Sequence, residues 1–265
     1  MKGWLNMKEI IYDKEYIKPS CIVGNLYFVG VHCASTHIID TGEGLILIDP
    51  GYRETLYLMI NNLWTLGYKP TDIKYIIGTH AHFDHIDAVK PLVEMTGAKT
   101  FIGKDDLPLL KGDVYHYPIN TFEPDVLLSD GDVVTLGNTS IRFVATPGHT
   151  DGTMSPFFDV EENGVAYRVG MFGGAGIGSM AKDFLKDNGL PGDCREKYIR
   201  SVKRLMEEKV DVFIGNHVWN NNTEEKIEKI GKTERNPFVD PEEWQSFLNE
   251  RLEEAREFFE KDPLI

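Results

Sequence analysis

The run Thr79-His80-Ala81-His82-Phe83-Asp84-His85 limits what this chain can become more than any other stretch. Three imidazoles and a carboxylate fall within six consecutive positions, behind the apolar run Tyr75-Ile76-Ile77-Gly78. At the end of a strand, side chains two positions apart share a face, so His80 and His82 aim the same way. Asp84 and His85 can then turn toward a second point nearby. Imidazole and carboxylate donors together suit zinc or another first-row cation. Four such groups exceed what one open catalytic cation usually takes, which points to two ions.

The rest of the chain has to build a frame for that loop. Its 265 residues, 42% of them apolar, suffice for a sizeable core, in one large domain or two small ones. A net charge of −14 disfavours nucleic acid and anionic membrane as partners, because both need a basic surface. A small-molecule substrate fits better. No apolar stretch approaches the length of a bilayer span. Residues 1–20 lack an apolar signal core, so a cytoplasmic location is expected if Met1 is the native start. The three cysteines, Cys21, Cys33 and Cys194, are odd in number and widely spaced. That pattern gives neither a disulfide framework nor a CxxC metal site, and reads as mostly buried free thiols.

Strand signals run through Leu26–Val29, His37–Ile39 and Leu45–Asp49, the last two joined by a turn at Gly42-Glu43-Gly44. Leu56, Ile60 and Leu63 recur at helical spacing over 53–66, with Gly67 as a stop. A helix is expected over 87–96, with Pro91 blurring its start. The second half repeats the plan. Hairpins are expected around Gly137-Asn138 and Glu162-Asn163-Gly164, a helix over 195–208 and a strand over 210–214. A last helix, about 241–260, carries Trp244, Phe247, Leu248, Leu252, Ala255 and Phe259 on one face for ordinary packing. Strand-rich halves with helices between them predict a layered α/β core, sheet on sheet, covered by helices.

Two further histidines follow strands through short glycine-containing turns. His149 lies in Thr146-Pro147-Gly148-His149-Thr150, and His217 in Ile214-Gly215-Asn216-His217. Loops at one edge of a packed sheet can bring both to the 80–85 cluster. In this order, with Leu47-Ile48-Asp49-Pro50-Gly51 upstream, the chain resembles the metallo-β-lactamase superfamily. It is most similar to the all-histidine dizinc subclass, B3, of the true β-lactamases. The resemblance spans about residues 20–230 and implies a four-layer αβ/βα sandwich, one metallo-hydrolase domain over 1–265 with the helix near 241–260 appended.

Residue by residue, the resemblance implies that His80, His82 and His149 bind one zinc and that Asp84, His85 and His217 bind a second. A hydroxide would bridge the two, with Asp84 orienting it as the catalytic carboxylate and Asp49 steadying a ligand from behind. Iron or manganese could replace zinc with the same donors. Two departures bear on substrate. The segment Gly170-Met171-Phe172-Gly173-Gly174-Ala175-Gly176 has no carboxylate where most of the superfamily's hydrolases carry a bridging aspartate. It also lacks the serines with which the B3 enzymes help hold a β-lactam carboxylate. The expected activity is therefore hydrolysis of a small lactam, lactone or thioester carbonyl, with weak β-lactam turnover. A lactonase or thioesterase, or a metal-binding protein without catalysis, are the alternatives.

Around the six donors, His32, Tyr115, Gly174, Gly176 and Trp219 are candidate pocket residues. Tyr115, His116, Tyr117 and Pro118 form an aromatic loop that walls the site or covers the core. The glycines read either as a tight turn or as space for substrate. His37 alternates with apolar neighbours and reads as a hydrogen-bonded structural histidine.

Overall fold

Among the described residues, seven short strands from the first half and five from the second form two separate sheets. The computed structural model describes residues 15–112 and 121–264. The first sheet runs in chain order: β1 (Ser20–Val23), β2 (Leu26–Phe28), β3 (His37–Asp40), β4 (Leu45–Ile48), β5 (Ile73–Ile77), β6 (Lys99–Gly103) and β7 (Val126–Leu128). The second holds β8 (Val133–Leu136), β9 (Thr139–Ala145), β10 (Met154–Glu162), β11 (Val165–Gly170) and β12 (Val212–Phe213), in the order β12-β11-β10-β9-β8.

Alternation along the strands sorts the layers. In β4, Ile46 and Ile48 join one core cluster, while Leu45 and Leu47 join another. The first cluster also takes Ile141, Phe143, Phe158 and Val160 from the second sheet, so it is the interface between the sheets. The other lies under helices α1 (Leu56–Thr65), α2 (Phe83–Ile86) and α3 (Val89–Thr96), through Met59, Leu63, Ile86, Val89 and Leu92. On the far side, Phe157 and Phe213 pack against α6 (Cys194–Leu205) and α8 (Glu243–Lys261). Tyr198, Val202, Trp244 and Phe247 supply that layer. Both faces of each sheet are therefore covered, and the all-apolar β4 follows from it. Helix, sheet, sheet, helix is the four-layer αβ/βα sandwich. Three further helices, α4 (Leu107–Lys111), α5 (Lys182–Asp187) and α7 (Thr223–Lys229), lie in the connections.

Register places the loops that matter. β4, β5 and β6 are parallel, with Ile48 opposite Ile77 and Ile77 opposite Phe101. Asp49 and the Gly78-Thr79 step thus leave the sheet at one edge. In the second sheet, β11 and β12 are parallel with Gly170 opposite Phe213. That pairing sends residues 171–176 and 214–217 out together, and Asn216 Nδ2 donates to the Gly173 carbonyl at 2.9 Å. The Met154 amide donates to the Thr79 carbonyl at 2.8 Å, so the two edges face each other.

Expectation and structure differ in a few places. The 53–66 helix begins as a 3-10 turn over Arg53–Thr55. Pro91 sits inside the first turn of α3, where its missing N–H costs nothing. The strand expected over 210–214 shrinks to two residues. The thiols are less buried than expected: Cys21 is exposed, and Cys33 and Cys194 are half-buried. His37 is buried, but neither ring nitrogen has a hydrogen-bond partner, so it is structural without being satisfied. Tyr115, with His116, Tyr117 and Pro118, lies outside the described residues. Among the described residues no helix is long and apolar enough to cross a membrane.

Candidate metal centre

Asp49 is the first residue after β4. It adopts a left-handed φ of 51°, which directs its carboxylate back over the sheet edge. It is fully buried and accepts three hydrogen bonds. The Thr79 amide donates to Oδ1 at 2.7 Å, the Thr79 hydroxyl to Oδ2 at 2.7 Å, and His85 Nδ1 to Oδ2 at 2.9 Å. Parallel pairing of β4 and β5 makes this contact possible. It pins the start of the histidine loop and the orientation of one imidazole at once.

Past Ile77 the chain leaves the sheet, so strand alternation is not what brings His80 and His82 together. The loop is instead folded over a second buried carboxylate. Asp106 Oδ2 accepts from the Ala81 amide at 2.7 Å and the Thr150 hydroxyl at 2.9 Å, and Oδ1 accepts from the Gly152 amide at 2.7 Å. One side chain thereby ties the loop of His80 and His82 to the loop of His149. Sequence reading missed Asp106, because nothing local distinguishes it from other loop aspartates.

The three imidazoles converge. Ring centroids lie 4.6 Å apart for His80–His82, 4.6 Å for His80–His149 and 4.5 Å for His82–His149. One ligand atom from each lies within 4.8 Å of the others. His149 donates from Nδ1 to the Gly176 carbonyl at 2.7 Å. His80 Nδ1 contacts the Thr79 hydroxyl at 3.1 Å, while its Nε2 is buried with no hydrogen-bond partner. One nitrogen is thus engaged on the protein side and the other left over.

Beside this set, Asp84 Oδ2 lies 3.3 Å from His85 Nε2 and 3.5 Å from His217 Nε2. His85 Nε2 is also without a hydrogen-bond partner, and its ring centroid is 4.2 Å from that of His80. The atoms mutually within 4.8 Å here are those of Cys33, Asp84 and His217. Cys33 was not singled out in the sequence. It arrives because Ala34 bridges His217 and the Val218 amide donates to the Cys33 carbonyl.

Electrostatics match the geometry. Burial, aided by the charge of His85, outweighs the Gly176 hydrogen bond at His149 and the nearby Asp84 carboxylate, and drives His149 and His217 down to about 4. Burial pushes His80 and His82 well below the ordinary imidazole value. All four are neutral at pH 7 and able to donate a lone pair. Burial also opposes charge on His85, but Asp84 and Asp49 outweigh it and raise the group. Those two carboxylates make the second point a place that favours positive charge.

The glycine segment serves the imidazole. A Cβ on Gly174 would lie 2.7 Å from His149 Cβ and 2.9 Å from its Cδ2. A Cβ on Gly173 would lie 2.0 Å from the Met154 carbonyl oxygen. Gly176 presents its carbonyl to the ring and has more room. Trp219 stacks on His217, with centroids 4.4 Å apart and planes 10° from parallel, and is exposed. His32 pairs with Glu224 at 3.1 Å and lines an open groove with Trp219.

A four-layer sandwich with a histidine-rich centre at the mouth of its two sheets defines a class of metal-dependent hydrolases. The model of the metallo-beta-lactamase superfamily matches residues 30–163, and the chain belongs to that superfamily. The structure is similar to BJP-1, a subclass B3 metallo-beta-lactamase of Bradyrhizobium japonicum, at 26% identity and a TM-score of 0.88, covering 96% of this chain and 98% of that one. The sequence is 24% identical over 238 residues to an N-acyl homoserine lactonase of Bacillus cereus, covering 78% of this chain and 88% of the lactonase. It is 28% identical over 113 residues to the probable polyketide biosynthesis zinc-dependent hydrolase PksB of Bacillus subtilis, covering 43% and 44%. The chain is a metallo-β-lactamase-fold hydrolase.

Proposed function

We propose that this hydrolase cleaves the acyl C–O, C–S or C–N bond of a small cyclic ester, thioester or amide with two zinc ions. His80, His82 and His149 would hold one, and Asp84, His85 and His217 the other. The observation that carries the reading is the set of leftover imidazole nitrogens. Buried Nε2 atoms on His80 and His85 have no hydrogen-bond partner, yet each ring is engaged at its other nitrogen. An unpaired buried nitrogen is costly, and a cation relieves that cost. Neutral imidazoles and a carboxylate are the donor chemistry zinc accepts.

Two bound divalent cations supply Lewis acidity and an activated water at neutral pH. The chain does the rest. Asp84 is partly exposed and held below the usual carboxylate range, where burial opposes the effect and His85 and His217 outweigh it. It is ionised at pH 7 and can accept a hydrogen bond from an attacking water and orient it. Asp49 and the Gly176 carbonyl fix the rotation of His85 and His149.

The glycine segment favours a lactone or thioester over a β-lactam. The packing of His149 against Gly174 leaves no room for a hydroxymethyl group to hold a substrate carboxylate. The kinship to an acyl homoserine lactonase agrees with that choice. A panel of lactones, thioesters, β-lactams and phosphoesters, run on protein of measured zinc content, tests the reading. Turnover of a lactone or thioester is expected, with penicillins slow or inert. Failure to retain two zinc ions after loading defeats it. Asp84→Asn should lose turnover far more than it loses metal.

A further inference from the structure

We infer that Cys33 is a thiolate ligand of the second cation, alongside Asp84 and His217. The inference rests on the two-cation reading above and adds a donor to it.

Geometry carries it. Donors around a tetrahedral zinc, with bonds of about 2.0–2.3 Å, sit roughly 3.3–3.8 Å apart. The Cys33 sulfur, an Asp84 oxygen and a His217 nitrogen already lie within 4.8 Å of one another. Small side-chain rotations close the remaining gap. His85 Nε2, on a fully buried side chain with no hydrogen-bond partner, faces the same Asp84 oxygen at 3.3 Å. That orphaned nitrogen marks independently where a cation belongs.

The backbone fixes Cys33 there. The Ala34–His217 bridge is flanked by hydrogen bonds from the Ser35 amide to the Asn216 carbonyl and from the Val218 amide to the Cys33 carbonyl. The thiol and the imidazole are therefore held on adjacent strips of chain. The sulfur's other polar contacts include the Ala34 backbone and the Tyr52 hydroxyl, the latter at 3.7 Å. On binding, the thiol proton goes to solvent and the sulfur takes its place in the shell. A soft donor makes this subsite prefer zinc or cobalt to magnesium or manganese.

Cobalt(II) is the probe, because a sulfur ligand gives it an intense near-ultraviolet charge-transfer band. Metal-free full-length protein is titrated with cobalt while absorbance and bound metal are both followed. The band is expected to grow with the second equivalent, to persist in Cys194→Ser, and to vanish in Cys33→Ser. Cys33→Ser should still bind the first equivalent, with the second weakened at least about tenfold. A companion measurement needs no variant: mass spectrometry after iodoacetamide treatment should find Cys33 protected in the zinc-loaded protein and alkylated after chelation. Two bound cobalts without the band, a band unchanged in Cys33→Ser, or equal alkylation with and without zinc would overturn the thiolate while sparing the two-cation site. Uptake of one equivalent or none would overturn both.

Discussion

Asp49 and His85 lie 36 positions apart, yet the Asp49 carboxylate accepts the His85 Nδ1 proton at 2.9 Å with both side chains fully buried. The same carboxylate holds the Thr79 amide and hydroxyl. It therefore sets the tautomer and rotation of His85 and the entry of the histidine loop. Asp49→Asn keeps the volume but cannot accept from all three donors. Metal affinity at the second subsite should fall about 10–100-fold, the usual cost of losing such a partner. Zinc titration by competition with a chelator checks this, with the first equivalent much less affected.

The two glycines nearest His149 should respond differently to one methyl group. At Gly174 the new Cβ meets the His149 ring well inside van der Waals contact, whereas at Gly176 its nearest ring atom is 3.4 Å away. Gly174→Ala should swing His149 out of the three-imidazole set, costing about 1–3 kcal/mol in fold stability and weakening the first cation strongly. Gly176→Ala should be nearly silent in both measurements. Thermal melts with and without zinc separate the cases.

Much of the centre was legible in the sequence. Spacing alone brought His80, His82, Asp84 and His85 into one loop, and strand-end placement singled out His149 and His217. The physical reason given for the first pair was wrong in detail, because the loop leaves the sheet at Gly78 and is shaped by Asp106. Asp106 and Cys33 were illegible for a common reason. Each joins the site through partners 25–46 positions distant for Asp106, or through a two-residue bridge at Ala34–His217 for Cys33. No local pattern encodes such contacts. The layered fold was readable from apolar alternation, and so was β12, although it proved shorter than the 210–214 run; short β7 was not, since so few residues carry no periodic signal.

Asp106 should behave as a structural clamp with a catalytic consequence. Its removal leaves the buried amides of Ala81 and Gly152 and the Thr150 hydroxyl without their acceptor. Each unmatched buried donor costs about 1–3 kcal/mol, partly recovered where water enters. Asp106→Ala should therefore lower unfolding free energy by about 2–4 kcal/mol in urea titrations of the metal-free protein. It should also weaken the first cation, because the two loops that carry His80, His82 and His149 lose their link.

His37 gives the fold an acid-sensitive point away from the metal donors. Burial lowers it from an ordinary 6.5 to about 3, and its ring sits edge-on to Phe28 with both nitrogens unpaired. Native His37 is therefore neutral at a pH where the unfolded chain takes up a proton. Its contribution is present in full above about pH 6.5 and is lost progressively as pH falls from there toward 3. His37→Leu removes that proton uptake and two unpaired polar atoms. Metal-free His37→Leu protein should be more stable at pH 7, and its advantage over the parent should widen between pH 6.5 and pH 4. The buried histidines His80, His82, His149 and His217 add the same sign of dependence to both proteins and cancel in the difference. Urea melts across that window settle the matter: parallel stability curves for parent and variant would mean that His37 is already solvated or partnered in the native state.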